Sequence, residues 1–203
     1  MKKLAITQTP IHELIAARWS GRAYDDSKPV SQQQVIALLE AARWAPSCYG
    51  DQPWRFVVWN KADDASAWQQ AFDCLAPGNQ GWVKDAPLLL LVTADTLFNH
   101  NVQPNRWAQY DTGAAAENLC LQAQGMGLMA HQMGGFDAEG ARVVAVVPEQ
   151  FTLMAMIAVG YPADVASLNE EARTRELAPR KRRELGELFF AGQWGQPAVS
   201  SQG

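Results

Sequence analysis

Two basic segments of this sequence have the spacing of an anion-binding site. The first is Arg18-Trp19-Ser20-Gly21-Arg22, and the second, Arg180-Lys181-Arg182-Arg183, lies near the C terminus. Alternate side chains of an extended segment point the same way, so Arg18, Ser20 and Arg22 can converge on a single anion. Arg180 and Arg182, two positions apart, can grip one phosphate. The alternative interpretation of both segments is a solvated run of charge.

Two turn-rich segments offer backbone groups to a flat ligand. The loop 45–53 contains Pro46-Ser47-Cys48 and Gln52, which together provide N–H groups, a hydroxyl and an amide. At Gly134-Gly135 no Cβ intervenes, so the backbone can approach a ring closely. An ordinary turn without a ligand is the alternative for each segment.

Other common chemistries lack their motifs here. The sequence contains neither Gly-x-Ser-x-Gly nor Gly-x-x-x-x-Gly-Lys-Ser/Thr, so a hydrolase elbow and a phosphate-binding loop of that type are not predicted. The three histidines and three cysteines show no metal-ligand spacing, and the odd, scattered cysteines are typical of reduced intracellular thiols. We therefore predict no metal site, no catalytic nucleophile and a cytoplasmic location. The histidines are His12, His100 and His131, and the cysteines are Cys48, Cys74 and Cys120.

Composition narrows the class of protein further. The 203 residues carry a net charge of −4, which argues against a general nucleic-acid or anionic-membrane binder. If basic residues have a role in binding, a local cluster of them must provide it. The longest apolar run, Leu88 to Val92, is far shorter than the roughly 20 residues of a membrane helix, and residues 1–10 lack the apolar stretch of a signal peptide. The length predicts a single domain spanning 1–203.

The order of predicted elements indicates an α+β fold with one sheet. Apolar periodicity predicts a long central helix over 107–128, and a capping box at Ser31 and Gln34 predicts the start of another helix. The tail 164–203 is polar but carries Leu188, Phe189, Phe190 and Trp194, so we expect it to pack on a second chain. The remaining predictions are helices over 10–19, 63–75 and 137–146, strands over 55–59, 88–93 and 154–159, and turns at 77–79 and 134–135.

Together these segments resemble the FMN-dependent nitroreductase family. The family pattern Arg-Arg-Ser-x-Arg-x-Phe corresponds to Arg18-Trp19-Ser20-Gly21-Arg22-Ala23-Tyr24, and Glu-Ala-Ala-Arg-x-Ala-Pro-Ser corresponds to residues 40–47. Asn-x-Gln-Pro-Trp corresponds to Gly50-Asp51-Gln52-Pro53-Trp54. Residues 111–119 resemble the long central helix of the family, and Arg180-Lys181-Arg182-Arg183 resembles its basic C-terminal signature. The resemblance covers about residues 11–190.

The resemblance implies a three-layer fold with a central mixed, mostly antiparallel sheet flanked by helices. It also implies a homodimer with FMN at the subunit interface and a C-terminal extension, 164–203, exchanged with the partner. Arg18, Arg180 and Arg182 would hold the phosphate, Ser20 the ribityl chain and ring edge, and Arg22 the region of N1 and the C2 carbonyl. The other implied flavin contacts are Trp19 at the pocket rim, Pro46, Ser47 and Cys48 from the partner subunit, Gln52, Asn79, and Gln132, Met133, Gly134 and Gly135 near N5.

The implied activity is oxidoreduction with NADH or NADPH as donor. A hydride would pass to flavin N5, and a nitroaromatic, quinone or related conjugated electrophile would then take the donor's place, giving ping-pong turnover. Gly50 replaces the usual Asn, and Trp19 the usual second Arg, so substrate preference is not carried over. The alternatives are a dehydrogenase, dehalogenase or enone reductase of the same fold, a flavin-binding protein without turnover, and a nucleic-acid module using residues 180–183.

Overall fold

The computed structural model describes residues 3–199 as helices packed on both faces of one four-stranded sheet. The sheet has the order β1-β2-β4-β3, and all three pairings are antiparallel. The predicted α+β class and mostly antiparallel sheet are confirmed. The strands are β1 (Trp54–Asn60), β2 (Leu88–Asp95), β3 (Met129–Met133) and β4 (Phe151–Gly160); the helices are α1 (Glu13–Ala17), α2 (Gln32–Arg43), α3 (Ala65–Asp73), α4 (Pro77–Val83), α5 (Ala108–Gly125), α6 (Ala138–Ala145), α7 (Glu170–Leu177) and α8 (Leu185–Leu188).

Strand β2 explains why helical layers cover both faces of the sheet. All eight of its residues are buried, which agrees with an apolar run that does not alternate with polar residues. Leu88 and Leu90 pack in a core with α2 and α5 on one face, whereas Leu89 and Leu91 pack in a second core with α3 and α4 on the other. Because side chains alternate across a strand, a single strand contributes to both cores, and the sheet forms the middle of three layers.

Local capping signals place two helices where the sequence predicts them. Ser31 Oγ accepts a hydrogen bond from the Gln34 backbone N–H, and the Gln34 side chain accepts one from the Ser31 N–H, which completes the capping box of α2. Asp137 accepts from the Gly140 N–H and so caps α6. Both contacts satisfy backbone donors that a helix start otherwise leaves free.

Two predicted elements differ in the structure, and one observed strand was not predicted. The turn predicted at 77–79 is instead the start of α4, because Pro77 occupies a first-turn position where a helix does not need its missing N–H. The short strand β3 was not predicted, since its five residues include His131 and Gln132 and lack a strong β pattern. Helix α1 is shorter than the predicted 10–19: His12 caps it and Arg18 already has an extended backbone, with ψ of 127°.

The C-terminal segment begins by packing on its own chain. Leu168 and Ala172 belong to the core that contains α3 and α4, and Glu176 on α7 is buried. Beyond α7, Leu188, Phe189 and Trp194 are exposed. The exchange of 164–203 with a partner chain stays a prediction, and residues 200–203 of that segment lie outside the described part of the chain.

A buried histidine ties the N-terminal segment to the sheet edge. His131 Nδ1 on β3 lies 2.9 Å from the Gly21 carbonyl oxygen, and its ring lies 4.5 Å from the Trp82 ring, centroid to centroid. Since a carbonyl oxygen only accepts, Nδ1 carries the proton and donates it. Burial lowers the pKa of His131 to about 4; the nearby Arg22 and Arg18 also lower it, and the hydrogen bond to Gly21 opposes them. The ring is therefore neutral at pH 7.

This pKa predicts acid destabilisation that depends on one residue. A histidine whose pKa falls from 6.5 to about 4 on folding contributes no pH dependence above pH 6.5 and costs stability as the pH falls toward 4. The loss amounts to about 3 kcal/mol over that window. Chemical denaturation at pH 7, 5.5 and 4 should show a steeper loss for the wild-type protein than for His131→Gln. The exposed His100→Gln serves as the control, and equal slopes for all three proteins would contradict the assignment.

Candidate functional site

Arg18 is held against the long helix at the start of the extended segment. Its Nε lies 3.3 Å from Glu117 Oε1 on α5, and its Nη1 lies 3.5 Å from Ser20 Oγ. Arg18 and Ser20 therefore face the same side, as their alternate spacing predicts. Burial raises the pKa of Glu117, while the positive charge of Arg18 opposes that effect.

Arg180 brings the C-terminal basic segment to the same place. One guanidinium nitrogen, Nη1, donates to the carbonyl oxygens of Lys3 and Ala16, each at 2.8 Å. The pKa of Arg180 is lowered by burial and further by the charges of Arg18 and Arg182. Arg18 and Arg182 therefore lie close enough to Arg180 for their charges to repel its guanidinium. A bound dianion would relieve this repulsion, since charge-assisted hydrogen bonds to phosphate favour the charged guanidinium.

Lys3 and Trp19 lie beside this basic group. Lys3 Nζ is 4.6 Å from the centroid of the Trp19 ring and donates to the Glu176 carbonyl oxygen at 2.5 Å. Trp19 also borders a cavity of about 730 Å³ whose other walls include apolar side chains of α1 such as Leu14. The aromatic ring predicted at a pocket rim therefore borders this cavity beside α1.

Arg22 is fixed by a buried carboxylate. Its backbone N–H donates to both carboxylate oxygens of Glu176, each at 3.0 Å, and its Nη1 lies 3.8 Å from Glu176 Oε2. On its other side, the guanidinium carbon lies 5.8 Å from the centroid of the Trp82 ring on α4. Arg22 therefore points toward α4, the helix that also carries Asn79.

Asn79 and the double glycine meet beside that helix. Asn79 Nδ2 donates to the Gly135 carbonyl oxygen at 2.9 Å, and a Cβ at Gly135 would lie only 3.0 Å from the same nitrogen. Gly134 is exposed, whereas the Met133 side chain is buried in the core. Gln132 Nε2 lies 3.4 Å from Cys120 Sγ. Residues 132–135 can consequently offer a ligand mainly backbone groups, as the sequence suggests.

The loop with Pro46, Ser47, Cys48 and Gln52 is anchored elsewhere. The Cys48 N–H donates to Asp111 Oδ2 at 2.9 Å, and Ser47 Oγ accepts from the Gln52 N–H at 3.0 Å. Gln52 has a positive φ of 52°, and so does Tyr49 at 56°, a conformation unusual for residues other than glycine. These contacts hold the loop in one conformation at the start of α5.

The loop 45–53 and the arginine group contact α5 at different positions along the helix. Six residues separate Asp111, which holds the loop, from Glu117, which holds Arg18. On a helix that spacing corresponds to about 9 Å along the axis and about a third of a turn around it. Within residues 3–199 no hydrogen bond or ion pair joins the loop to the arginine group. A single chain therefore brings Arg18, Ser20, Arg22, Arg180 and Arg182 into one group and leaves the loop residues outside it.

The sequence did not predict the two buried acids, Glu176 and Asp111, that hold Arg22 and the loop in place. Glu176 lies among exposed charged residues of α7, and only its burial distinguishes it from Glu170 and Glu171. Asp111 appeared only as part of a helix motif, although it is buried at a helix start. A buried acidic residue has no signal in the sequence unless its partner is known.

No other chemical centre is found in the part of the chain that the structure describes. Residues 3–199 contain no group of three or more His, Cys, Asp and Glu side chains that could hold a metal ion. Burial raises the pKa of the Cys74 thiol and raises that of Cys120 to about 12, so neither is a ready nucleophile. Among the described helices, none combines the length and hydropathy needed to cross a bilayer.

Comparisons with known proteins agree with this arrangement. A protein of Methanothermobacter thermautotrophicus, provisionally named NADH dehydrogenase/NAD(P)H nitroreductase, is 29% identical over 163 residues, covering 78% of this chain and 81% of its own. The crystal structure of an oxidoreductase containing FMN is 33% identical, with a TM-score of 0.88 over 94% of this chain and 96% of that one.

A provisionally named nitroreductase of Desulfovibrio desulfuricans, solved in complex with FMN, is 28% identical, with a TM-score of 0.70 over 93% of this chain and 99% of that one. Residues 15–161, most of the chain, match the family model described as the nitroreductase family. Both the three-layer fold and the grouped arginines are consistent with that match. The chain therefore belongs to the nitroreductase family.

Proposed function

We propose that the protein is an FMN-dependent oxidoreductase that takes electrons from NADH or NADPH. The observation that carries this proposal is the gathering of cations at one place: Arg18 faces the same side as Ser20, and Arg180, held by the Lys3 and Ala16 carbonyl oxygens, lies near Arg18 and Arg182. An excess of positive charge at a partly buried place suits a phosphate dianion. The FMN complex of the Desulfovibrio relative supports the choice of ligand.

The remaining site residues fit the other parts of FMN. Ser20 faces the same side as Arg18 and would contact the ribityl chain. Arg22, between Glu176 and Trp82, would present its positive charge to the polar edge of the ring. Asn79 and the backbone of Gly134 and Gly135 would lie along the ring, where the missing Cβ atoms permit close approach.

When bound, FMN supplies the hydride acceptor and donor chemistry of the reaction, and the chain's residues bind and orient it. Arg22 favours negative charge that develops at the ring edge, because its guanidinium is already fixed before the reaction. We assign no side chain as a nucleophile or as a general acid. The proposed electron acceptors are nitroaromatics, quinones and related conjugated electrophiles, which bind by stacking on a flat ring.

We also propose a homodimer with FMN at the subunit interface. In one chain the loop at Pro46, Ser47 and Cys48 lies apart from the arginine group, so we assign the flavin contacts of this loop to the second chain. Exposed aromatic side chains lie in and beside this loop: Tyr49 belongs to it, and Trp107 and Tyr110 lie at the adjacent start of α5. Exposed aromatic groups of this size are typical of interfaces.

The cofactor proposal predicts a loss of FMN affinity when Arg18 is removed. Arg18→Ala deletes one charge-assisted hydrogen bond to the phosphate, worth about 1.5 to 3 kcal/mol, so the FMN Kd should rise roughly 10- to 150-fold. Fluorescence titration of apoprotein measures this Kd. Arg173→Ala, an exposed substitution on α7, is the matched control. A wild-type protein that binds no FMN at saturating concentrations would overturn the proposal.

The interface proposal predicts that a charged residue in place of Tyr110 prevents the formation of the dimer. Tyr110 is 78% exposed in one chain, and Tyr110→Asp would bury an unpaired carboxylate in a dimer. Sedimentation velocity should show a dimer for the wild type and monomer for this variant. Val143→Asp on α6, at 76% exposure, is the matched control and should remain dimeric. A monomeric wild-type protein that retains FMN would contradict the interface.

A further inference from the structure

A single peptide group in the site is held on both sides by buried side chains. The Gly21 carbonyl oxygen accepts from His131 Nδ1 at 2.9 Å, and the Arg22 N–H donates to the Glu176 carboxylate at 3.0 Å. These two atoms belong to the same planar peptide unit, so the two contacts together fix its orientation. His131 comes from β3 and Glu176 from α7, elements far apart in the sequence.

Packing around Gly21 leaves no room for a side chain at this position. A Cβ at this position would lie 2.1 Å from Met129 Sδ and 3.0 Å from Glu176 Oε1. The carboxylate and the β3 side chains therefore approach the backbone as closely as a glycine allows. This close fit keeps the Gly21–Arg22 peptide in place.

Glu176 also lies close to the Arg22 side chain. Arg22 Nη1 lies 3.8 Å from Glu176 Oε2, and the Glu176 side chain is only 2% exposed. The same residue's backbone carbonyl accepts from Lys3 Nζ. A buried carboxylate beside two cations offsets part of their charge, because water screens a buried group less than an exposed one.

We propose that Glu176 is a positioning residue for Arg22, which fixes the Gly21–Arg22 peptide and moderates the positive charge that Arg22 presents to bound FMN. This inference rests on the proposed function. Glu176 lies on α7, beyond residues 15–161, the region that matches the family model. Through it, α7 sets both the affinity for FMN and the midpoint potential of bound FMN.

Two substitutions separate the backbone contact from the charge. Glu176→Gln keeps an oxygen that can accept from the Arg22 N–H but removes the negative charge. Its bound FMN should have a more positive midpoint potential, because the charge of Arg22 is no longer offset. Glu176→Ala removes both contributions, so the Arg22 peptide loses its partner and the FMN Kd should rise about tenfold or more.

The potential is measured by spectroelectrochemical titration of the FMN-loaded proteins. Glu170→Gln, the same substitution at an exposed position of α7, is the control and should match the wild type. In an Arg22→Ala background the shift caused by Glu176→Gln should disappear, since the positioned group is absent. A Glu176→Gln protein with unchanged potential, or a shift of the same size without the Arg22 side chain, overturns the inference.

A measurement on wild-type apoprotein requires neither a variant nor bound FMN. Amide hydrogen exchange resolved at Arg22 should be slow, because its N–H is bonded to a buried carboxylate. Exchange at the rate of an open loop overturns the inference even if the Glu176 variants fail to fold. Failure of the wild type to bind FMN would instead overturn the proposed function, while slow exchange at Arg22 would still support the contact with Glu176.

Discussion

The burial of β2 on both faces is the constraint on which the rest of the structure depends. Each apolar side chain of this strand is stabilised only when a helical layer covers its face, at roughly 25 cal/mol for each Å² removed from water. The strand therefore needs helices on both sides. It also lies inside the sheet, paired with β1 and β4, which leaves β3 at the edge. His131 and Met129, which hold Gly21, come from that edge strand.

Charge in this protein is organised locally. The chain is acidic overall, yet its arginines from both termini collect beside two carboxylates. Over distances beyond about 10 Å, salt screens the acidic remainder of the surface, so the nearby arginines determine the field at the site. The members of this group are Lys3, Arg18, Arg22, Arg180 and Arg182, with Glu117 and Glu176 as the neighbouring acids. An anion site and a negative net charge are therefore compatible.

The C-terminal segment is part of the site's construction. Arg180 is bonded to the carbonyl oxygens of Lys3 and Ala16, and Glu176 holds the backbone of Arg22, a residue 154 positions away. Both contacts use buried or partly buried groups, which are costly to leave unpaired. The two ends of the chain consequently stabilise each other, and the segment 18–22 is held between them.

The sequence by itself determined the features that depend on local spacing. The capping box at Ser31, the Asp137 cap, the unbroken apolar run of β2 and the common direction of Arg18 and Ser20 each depend on residues a few positions apart. The motifs in residues 18–24 and 40–54 also identified the family, because their residue types and order are specific.

Only the tertiary structure decided which residues support those motifs. Strand β3 exists because β4 pairs with it, and α4 forms where Trp82 and Val83 can be buried. Glu176 resembles any surface acid of a charged helix until the fold places it under Arg22. His131 becomes a buried, neutral donor only because Gly21 and Trp82 meet it. These contacts join residues far apart in the chain, and no local pattern encodes a partner that distant.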